Sequence, residues 1–327
     1  MLNPWIQAAR LRTLPLAMSG ILLGSAVSYL QGFNTNYPYP VIGLALLTAL
    51  FLQVLSNYAN DYGDFDKGVD IQAKRTDRAL SGGKILPYSM RIALWILGLL
   101  VLVLGLCMIY ISGLLYDHKG FFLLGLGLFS IVAALAYTLG ENAYGYYGFG
   151  DLFVLLFFGL VPVLGMGLLL GCDIDMVFLL AGLGMGLLAT GVLNVNNYRD
   201  LETDKAMLKK TLAVRLGAKK TLVYHRIVLV LGSLLLPSSF LVFERTHFGY
   251  SGLPPVASIF LLGVFSPVFA LLSQHYRVLS ETLPGNRITL NKELKKLSLV
   301  VLLAIIIYCT MAWFVIDFMG INKNWEN

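Results

Sequence analysis

The sequence predicts an all-α fold: a polytopic membrane bundle of nine transmembrane helices, with the N-terminus inside and the C-terminus outside. Three observations predict it. Hydrophobic residues make up 57% of the 327-residue chain and charged residues only 13%, where a soluble domain is nearer ~25% charged. Mean hydropathy is +0.76. Apolar runs long enough to span a bilayer recur along the whole chain, and the basic residues between them fall on alternate sides.

The expected spans are 13–31, 40–60, 91–114, 120–139, 150–171, 175–196, 221–243, 253–273 and 297–319. The first follows Arg10 and Arg12 directly, and the start of the chain has no cleavable signal-peptide pattern. The second and sixth both run into asparagine-rich, acidic ends. The fourth and fifth are parted by a short Gly/Tyr-rich break from Gly140 to Gly150. With the N-terminus inside, 21 of the 24 Lys and Arg residues lie on the inner side. The outer side carries only Lys119, Arg245 and Lys323. This partition accounts for the net charge of +6, so the charge is no signal for nucleic acid. The spans leave no room for a sizeable soluble domain, and residues 1–327 are expected to form a single domain. Cys107, Cys172 and Cys309 lie in or beside apolar runs, without the spacing of a zinc or redox site. His118, His225, His247 and His275 lie in loops or at span ends, without spacing for a bis-His haem site.

Two acid clusters end the second and sixth spans. The first holds Asn57, Asn60, Asp61, Asp64 and Asp66, and the second Asn194, Asn196, Asn197, Asp200, Glu202 and Asp204. Each opens a basic loop on the inner side. With Asp70 and Asp77, these two regions contain eight of the chain's 18 acids, too many for solvated loop decoration. Asn60 and Asp64 are four residues apart, as are Asp200 and Asp204, which on a helix puts each pair on one face. The repeat predicts two half-sites facing each other in the bundle. Carboxylates with the neutral oxygens of Asn60 and Asn197 suit magnesium. Lys74, Arg75 and Arg78 follow the first cluster, and Lys209, Lys210 and Arg215 the second. Acids that hold a metal, flanked by cations, form a diphosphate site. A diphosphate whose tail lies among apolar helices is an isoprenoid diphosphate. There is no Gly-x-x-x-x-Gly-Lys-[Ser/Thr] loop, which argues against an ATPase.

Several motifs then resemble those of one family, the UbiA superfamily of intramembrane aromatic prenyltransferases, over nearly the whole chain. They are Ala9-Arg10-Leu-Arg12-Thr13-Leu14-Pro15; Asn60-Asp61-Tyr-Gly-Asp64 with Lys67-Gly68; and Arg78-Ala-Leu-Ser81-Gly82-Gly-Lys84-Ile85. Further on come Tyr137-Thr138; Tyr144 to Asp151; and Asn197-Tyr-Arg199-Asp200-x-x-x-Asp204 with Lys210-Thr211 to Gly217. The wider family often carries a third acid eight residues after the first Asn. Here position 68 is Gly and the next acid is Asp70, a pattern similar to the branch that prenylates 1,4-dihydroxy-2-naphthoate.

The resemblance implies a magnesium-dependent enzyme of the bacterial cytoplasmic membrane, with its site facing the cytoplasm. Its substrates would be an all-trans polyprenyl diphosphate and 1,4-dihydroxy-2-naphthoate. Asn60, Asp64, Asp200 and Asp204 would hold two magnesium ions, with Asp61 and Asn197 as further ligands or supporting groups. Lys74, Arg78 and Lys210 would neutralise the leaving diphosphate. The allylic cation would alkylate the ring carbon bearing the carboxylate. Loss of carbon dioxide and a proton would give demethylmenaquinol, oxidised to demethylmenaquinone. Apolar walls would exclude water, and glycines in spans five and six would leave room for the tail or let helices pack closely. Tyr137 and Asp151 are candidates to orient the acceptor, or else an interfacial tyrosine and a helix-start acid. Relatives with 4-hydroxybenzoate or homogentisate as acceptor stay open. So does an ion-coupled transporter, though its site would sit nearer the midplane. A lipid head-group binder would not need the acids.

Overall fold

The computed structural model describes residues 3–68, 78–141, 143–248 and 255–318, and every regular element among them is helical. Helix α1 (Pro4–Ala8) is capped by Asn3, whose side chain accepts from the Trp5 amide at 3.0 Å. Arg10 then adopts a left-handed conformation, φ 51°, and a 3-10 turn leads into α2 (Leu14–Gln31). Helix α3 (Pro38–Asp66) has 29 residues, roughly 43 Å at 1.5 Å per residue. That exceeds the ~30 Å hydrocarbon layer, so its last turns carry the first acid cluster beyond the apolar zone without leaving the helix.

Helices α4 (Pro87–Ile111) and α5 (His118–Ala136) pack on α3. Their outer faces are apolar and open: Trp95 is 82% exposed and Leu99 63%. In a chain this hydrophobic, such faces belong to lipid. The fifth span is segmented into α6 (Gly150–Leu155), a π-helical turn (Leu156–Leu160) and α7 (Val161–Leu169). Then come α8 (Met176–Arg199), α9 (Leu201–Ala206), α10 (Leu212–Phe248), α11 (Pro255–Glu281) and α12 (Arg287–Trp313). Helices α2 and α8 sit at the middle. The first touches α3, α7, α8 and α12, and the second packs on α10, α6 and α12.

Among the described residues eight segments are long and apolar enough to cross a membrane. The remaining expected span, 253–273, falls on the 27-residue α11. Several boundaries differ from expectation for one reason: the helices overrun the bilayer. Helix α12 starts at Arg287, ten residues before 297, and α4 starts on Pro87. The N-terminal part of α10 is set off from the rest by Gly217 at φ 73°.

The glycines of spans five and six serve mainly close packing. A Cβ on Gly159 would lie 2.3 Å from the Gly182 carbonyl oxygen, and one on Gly186 2.5 Å from that of Leu155. Gly165 differs, with no neighbour for its Cβ within 4 Å, and it lines an internal chamber.

The histidine reading is corrected. His225 on α10 and His275 on α11 are both fully buried, with their Nε2 atoms 3.2 Å apart, and His275 Nδ1 lies 2.5 Å from Glu293 Oε2 on α12. Packing of three helices pairs residues that sequence spacing kept apart.

Candidate active site

Both acid clusters lie at one end of the bundle. Asn57 on α3 donates to the Ala9 carbonyl at 2.9 Å. Arg12 and Arg199 both donate to Asn291 Oδ1, at 3.0 and 2.7 Å. These bonds gather the start of α2, the end of α3, the end of α8 and the start of α12. The far end is tied separately: Gln31 donates to Asp175 at 2.8 Å, and Tyr29 donates to Asp317.

The first half-site stands on the unbroken end of α3. Asp61 and Asp64 are buried, while Asn60 is half-buried and lines the chamber. Arg78 Nη1 donates to Asp61 Oδ1 at 3.0 Å, and Arg10 Nη2 stands 4.0 Å from the same oxygen. Asp61 Oδ2 is buried without a hydrogen-bond partner among the described residues. Asp64 Oδ1 accepts from the Tyr146 hydroxyl at 2.7 Å and from Lys209 Nζ at 3.0 Å.

The second half-site is broken where the first is continuous. Asp200 closes α8 with non-helical angles (φ −96°, ψ 8°), and α9 begins at Leu201. The four-residue spacing still makes a turn, because the Asp204 amide donates to the Asp200 carbonyl at 2.7 Å. Asn197, Asp200 and Asp204 are all buried. Arg199 grips Asp200 with two bonds, Nε at 3.1 Å and Nη2 at 2.5 Å, and Arg287 lies 3.5 Å away. The side chain of Asn194 is buried with neither polar atom partnered.

The segment between α5 and α6 joins the halves. Its 3-10 turn (Tyr144–Tyr147) sends the Tyr146 hydroxyl to Asp64, and its Tyr146 carbonyl accepts from the Lys210 amide at 2.7 Å. Two ammonium groups lie over the Tyr146 ring, Lys67 at 4.1 Å and Lys209 at 4.5 Å from its centroid. Burial lowers the Lys67 pKa.

Below the half-sites lies a chamber of about 350 Å³. Its polar end carries Arg10, Arg12, Gln53, Asn60 and Asn196. Its walls include Leu102, Leu123, Phe153, Phe157 and Met166, and among the described residues no acid lines it. Tyr137 lines the chamber too. Its ring meets that of Tyr144 edge-on at 5.3 Å. Asp151 is buried and accepts from the Tyr224 hydroxyl at 3.1 Å. It is not part of the chamber wall.

The donor set fits a hard divalent ion: carboxylates and amides from two facing elements, with one Asp61 oxygen buried and without a hydrogen-bond partner among the described residues. Among the described residues no three His, Cys, Asp or Glu side chains gather around one point. Side-chain cations sit on the carboxylates instead. Lys74 falls outside the described residues. Lys210 contributes its backbone to the site and exposes its side chain. The ammonium on Asp64 belongs to Lys209, and that assignment was missed. So were Tyr146 and Arg10, whose one sequence signal was membership of motif stretches.

The chain resembles known proteins over most of its length. The model of the UbiA prenyltransferase family matches residues 17–283. A Haemophilus influenzae protein named 1,4-dihydroxy-2-naphthoate octaprenyltransferase is 45% identical over 71% of this chain and 75% of its own. The Mycobacterium tuberculosis protein of the same name is 35% identical over 70% of this chain and 76% of its own. Among solved structures, a UbiA homolog from Archaeoglobus fulgidus bound to DMAPP and Mg2+ has a TM-score of 0.59 at 17% identity, covering 92% of this chain and 98% of that one. The apo UbiA homolog from Aeropyrum pernix scores 0.63 at 13% identity, over 96% and 99%. The family model spans most of the helices, and the chain belongs to the UbiA prenyltransferase family.

Proposed function

We propose that this protein transfers a polyprenyl group from an all-trans polyprenyl diphosphate to 1,4-dihydroxy-2-naphthoate, giving demethylmenaquinol, carbon dioxide and diphosphate. The observation that carries the reading is the junction of two cation-neutralised acid half-sites with a largely apolar chamber that no acid lines among the described residues. The acceptor is inferred from the relatives named for the naphthoate. Residues 1–327 act as one catalytic domain in the bacterial cytoplasmic membrane, with the site facing the cytoplasm.

Asn60, Asp64, Asp200 and Asp204 would hold magnesium, with Asp61 and Asn197 in support. Bound there, the metal would supply positive charge to the diphosphate. Arg78 and Lys209 already stand on Asp61 and Asp64. They are placed to move onto the anion, and the charges of Lys74 and Lys210 would add to theirs. The allylic carbon–oxygen bond breaks, and its electron pair leaves with the diphosphate oxygen. Charge stabilisation of that leaving group is the main help a site can give. The chamber walls keep water from the cation. The naphthoate carbon bearing the carboxylate forms the new carbon–carbon bond. Carbon dioxide departs, and the bond pair left behind restores the aromatic ring. The Tyr137 hydroxyl, on the chamber wall, is placed to donate to an acceptor oxygen.

Purified protein in liposomes, given the naphthoate, a polyprenyl diphosphate and magnesium, should yield demethylmenaquinone by mass after air oxidation. Chelation of the metal should stop it. Prenylation of 4-hydroxybenzoate without prenylation of the naphthoate would overturn the acceptor.

A further inference from the structure

A groove of about 370 Å³ runs along the outer seam between α11 and α12. Lys292, Lys295, Lys296, Leu299 and Leu303 line it from α12, and Leu271 lines it from α11. It opens at the same end of the bundle as the active site, because Asn291, which holds Arg12 and Arg199, immediately precedes Lys292.

Charge along the groove is one-sided. No acid lines it. Glu293, in the same turn, is buried and points to His275 on the inner side. Lys292 and Lys295 are exposed. Lys296 Nζ donates to Gln274 Oε1 at 3.0 Å, which fixes its position. An ammonium has three donors, so this bond leaves two. The chemistry changes along the helix axis. The cations occupy 292–296, and Leu299 and Leu303 follow one and two turns further along the same stripe. Lys292 to Leu303 covers roughly 16 Å of helix. Leu299 is 46% exposed within a segment apolar enough to cross the membrane. A cationic head above an apolar trough matches a phospholipid in polarity and direction, and basic pockets between transmembrane helices hold anionic head groups.

We propose that this groove binds an anionic glycerophospholipid of the surrounding bilayer. Lys292, Lys295 and Lys296 hold its phosphate, and one acyl chain lies along Leu271, Leu299 and Leu303. The site is separate from the reaction chamber and does not depend on which acceptor is prenylated. A general inner-side excess of cations predicts something different: a diffuse attraction in which any basic patch at that end counts equally. Lys219, Lys220 and Arg226 on α10 provide the contrast, since they are exposed and line no part of the groove.

Native mass spectrometry of the full chain in neutral detergent, with equal phosphatidylglycerol and phosphatidylcholine added, tests this. Each lysine near an anionic surface is worth about a fivefold preference, reduced by screening. The wild type should therefore retain phosphatidylglycerol over phosphatidylcholine by roughly tenfold or more. K292Q/K295Q/K296Q should lose that preference, while K219Q/K220Q/R226Q keeps it. Melting of both variants in phosphatidylcholine micelles should match the wild type, which separates lipid loss from unfolding. Equal loss in the two triple variants would reduce the effect to diffuse charge and overturn the site. Undiminished retention in the groove variant would overturn it as well. Displacement of the lipid by millimolar inorganic phosphate would leave an anion site without an acyl groove, and would likewise refute the proposal.

Discussion

The two half-sites look like copies in sequence and are wired differently in three dimensions. Asp64 stands on an uninterrupted helix and takes its cation from Lys209, 145 residues away, and a hydroxyl from Tyr146. Asp200 stands at a helix break and is gripped by its own neighbour, Arg199, which is anchored in turn to Asn196 and Asn291. The first half-site borrows its partners from other segments, so its pairing reports whether the halves are assembled. The second takes its main cation from the adjacent residue, and that arginine is committed to the scaffold. A ligand can recruit the ammonium of Lys209 by breaking one ion pair, whereas recruiting Arg199 would break four hydrogen bonds.

The largest expected effect tests what the two share. Asp64→Asn and Asp200→Asn should each cut turnover at least about a thousandfold, a loss of ~4 kcal/mol in transition-state stabilisation. Activity within tenfold of wild type in either variant would remove that carboxylate from the site. Stability should separate them. Asp200→Asn strips the carboxylate from a guanidinium that is only 7% exposed, and breaking a buried pair costs roughly 3–5 kcal/mol. Its melting temperature should fall clearly, and by more than that of Asp64→Asn, because Lys209 would lose one ion pair and keep the face of the Tyr146 ring. Arg199→Lys comes next. It keeps the charge but loses the fork, so melting should fall by less than in Asp200→Asn, with turnover down about tenfold. Unchanged melting in Arg199→Lys would show that the second half-site is no more rigid than the first.

The same contrast explains what could be read from sequence. Carboxylates four residues apart at the end of an apolar run are a local pattern, so the acids of both half-sites were legible, as was the membrane bundle. Choosing between Lys209 and Lys210 was not a local matter. Leu208 takes a left-handed conformation, φ 57°, which turns the chain there. The Lys209 amide then reaches Asp204, the Lys210 amide reaches Tyr146, and only Lys209 sends its ammonium to Asp64. A strained leucine leaves no mark in the sequence. Helix ends were misplaced where charge was taken to mean loop, and Arg287 to Lys296 are helical nonetheless. His225, His275 and Glu293 lie on three different helices, so no spacing rule could join them.

Lys209→Gln sharpens the comparison at smaller scale. Removing the ammonium frees one oxygen of Asp64, so magnesium should bind the substrate-free protein more tightly, by roughly fivefold in a calorimetric titration. A hydrogen bond to a charged group is worth about 1.5–3 kcal/mol, and only part of it opposes the metal. Turnover should nonetheless drop about tenfold, because the group meant for the diphosphate is gone. Weaker metal binding in this variant would mean that Lys209 organises the site and does not compete for it.

The smallest effect falls on Tyr146, which serves the first half-site in two ways. Its hydroxyl donates to Asp64 at 2.7 Å, and its ring lies under Lys67 and Lys209. Tyr146→Phe removes the first and keeps the second. Asp64 retains Lys209, so the lost bond is partly replaced, and turnover should fall only three- to fivefold, about 1 kcal/mol. Tyr146→Leu removes the ring as well. A cation over an aromatic face is worth about 0.5–1 kcal/mol at an exposed site and more when desolvated, and two ammonium groups lie over this ring. The leucine variant should therefore lose several-fold more than the phenylalanine variant, with its magnesium affinity shifted toward that of Lys209→Gln. Equal turnover and equal metal affinity in the two variants would strip the ring of any part in positioning Lys209, and Asp64 alone would then hold that lysine in place.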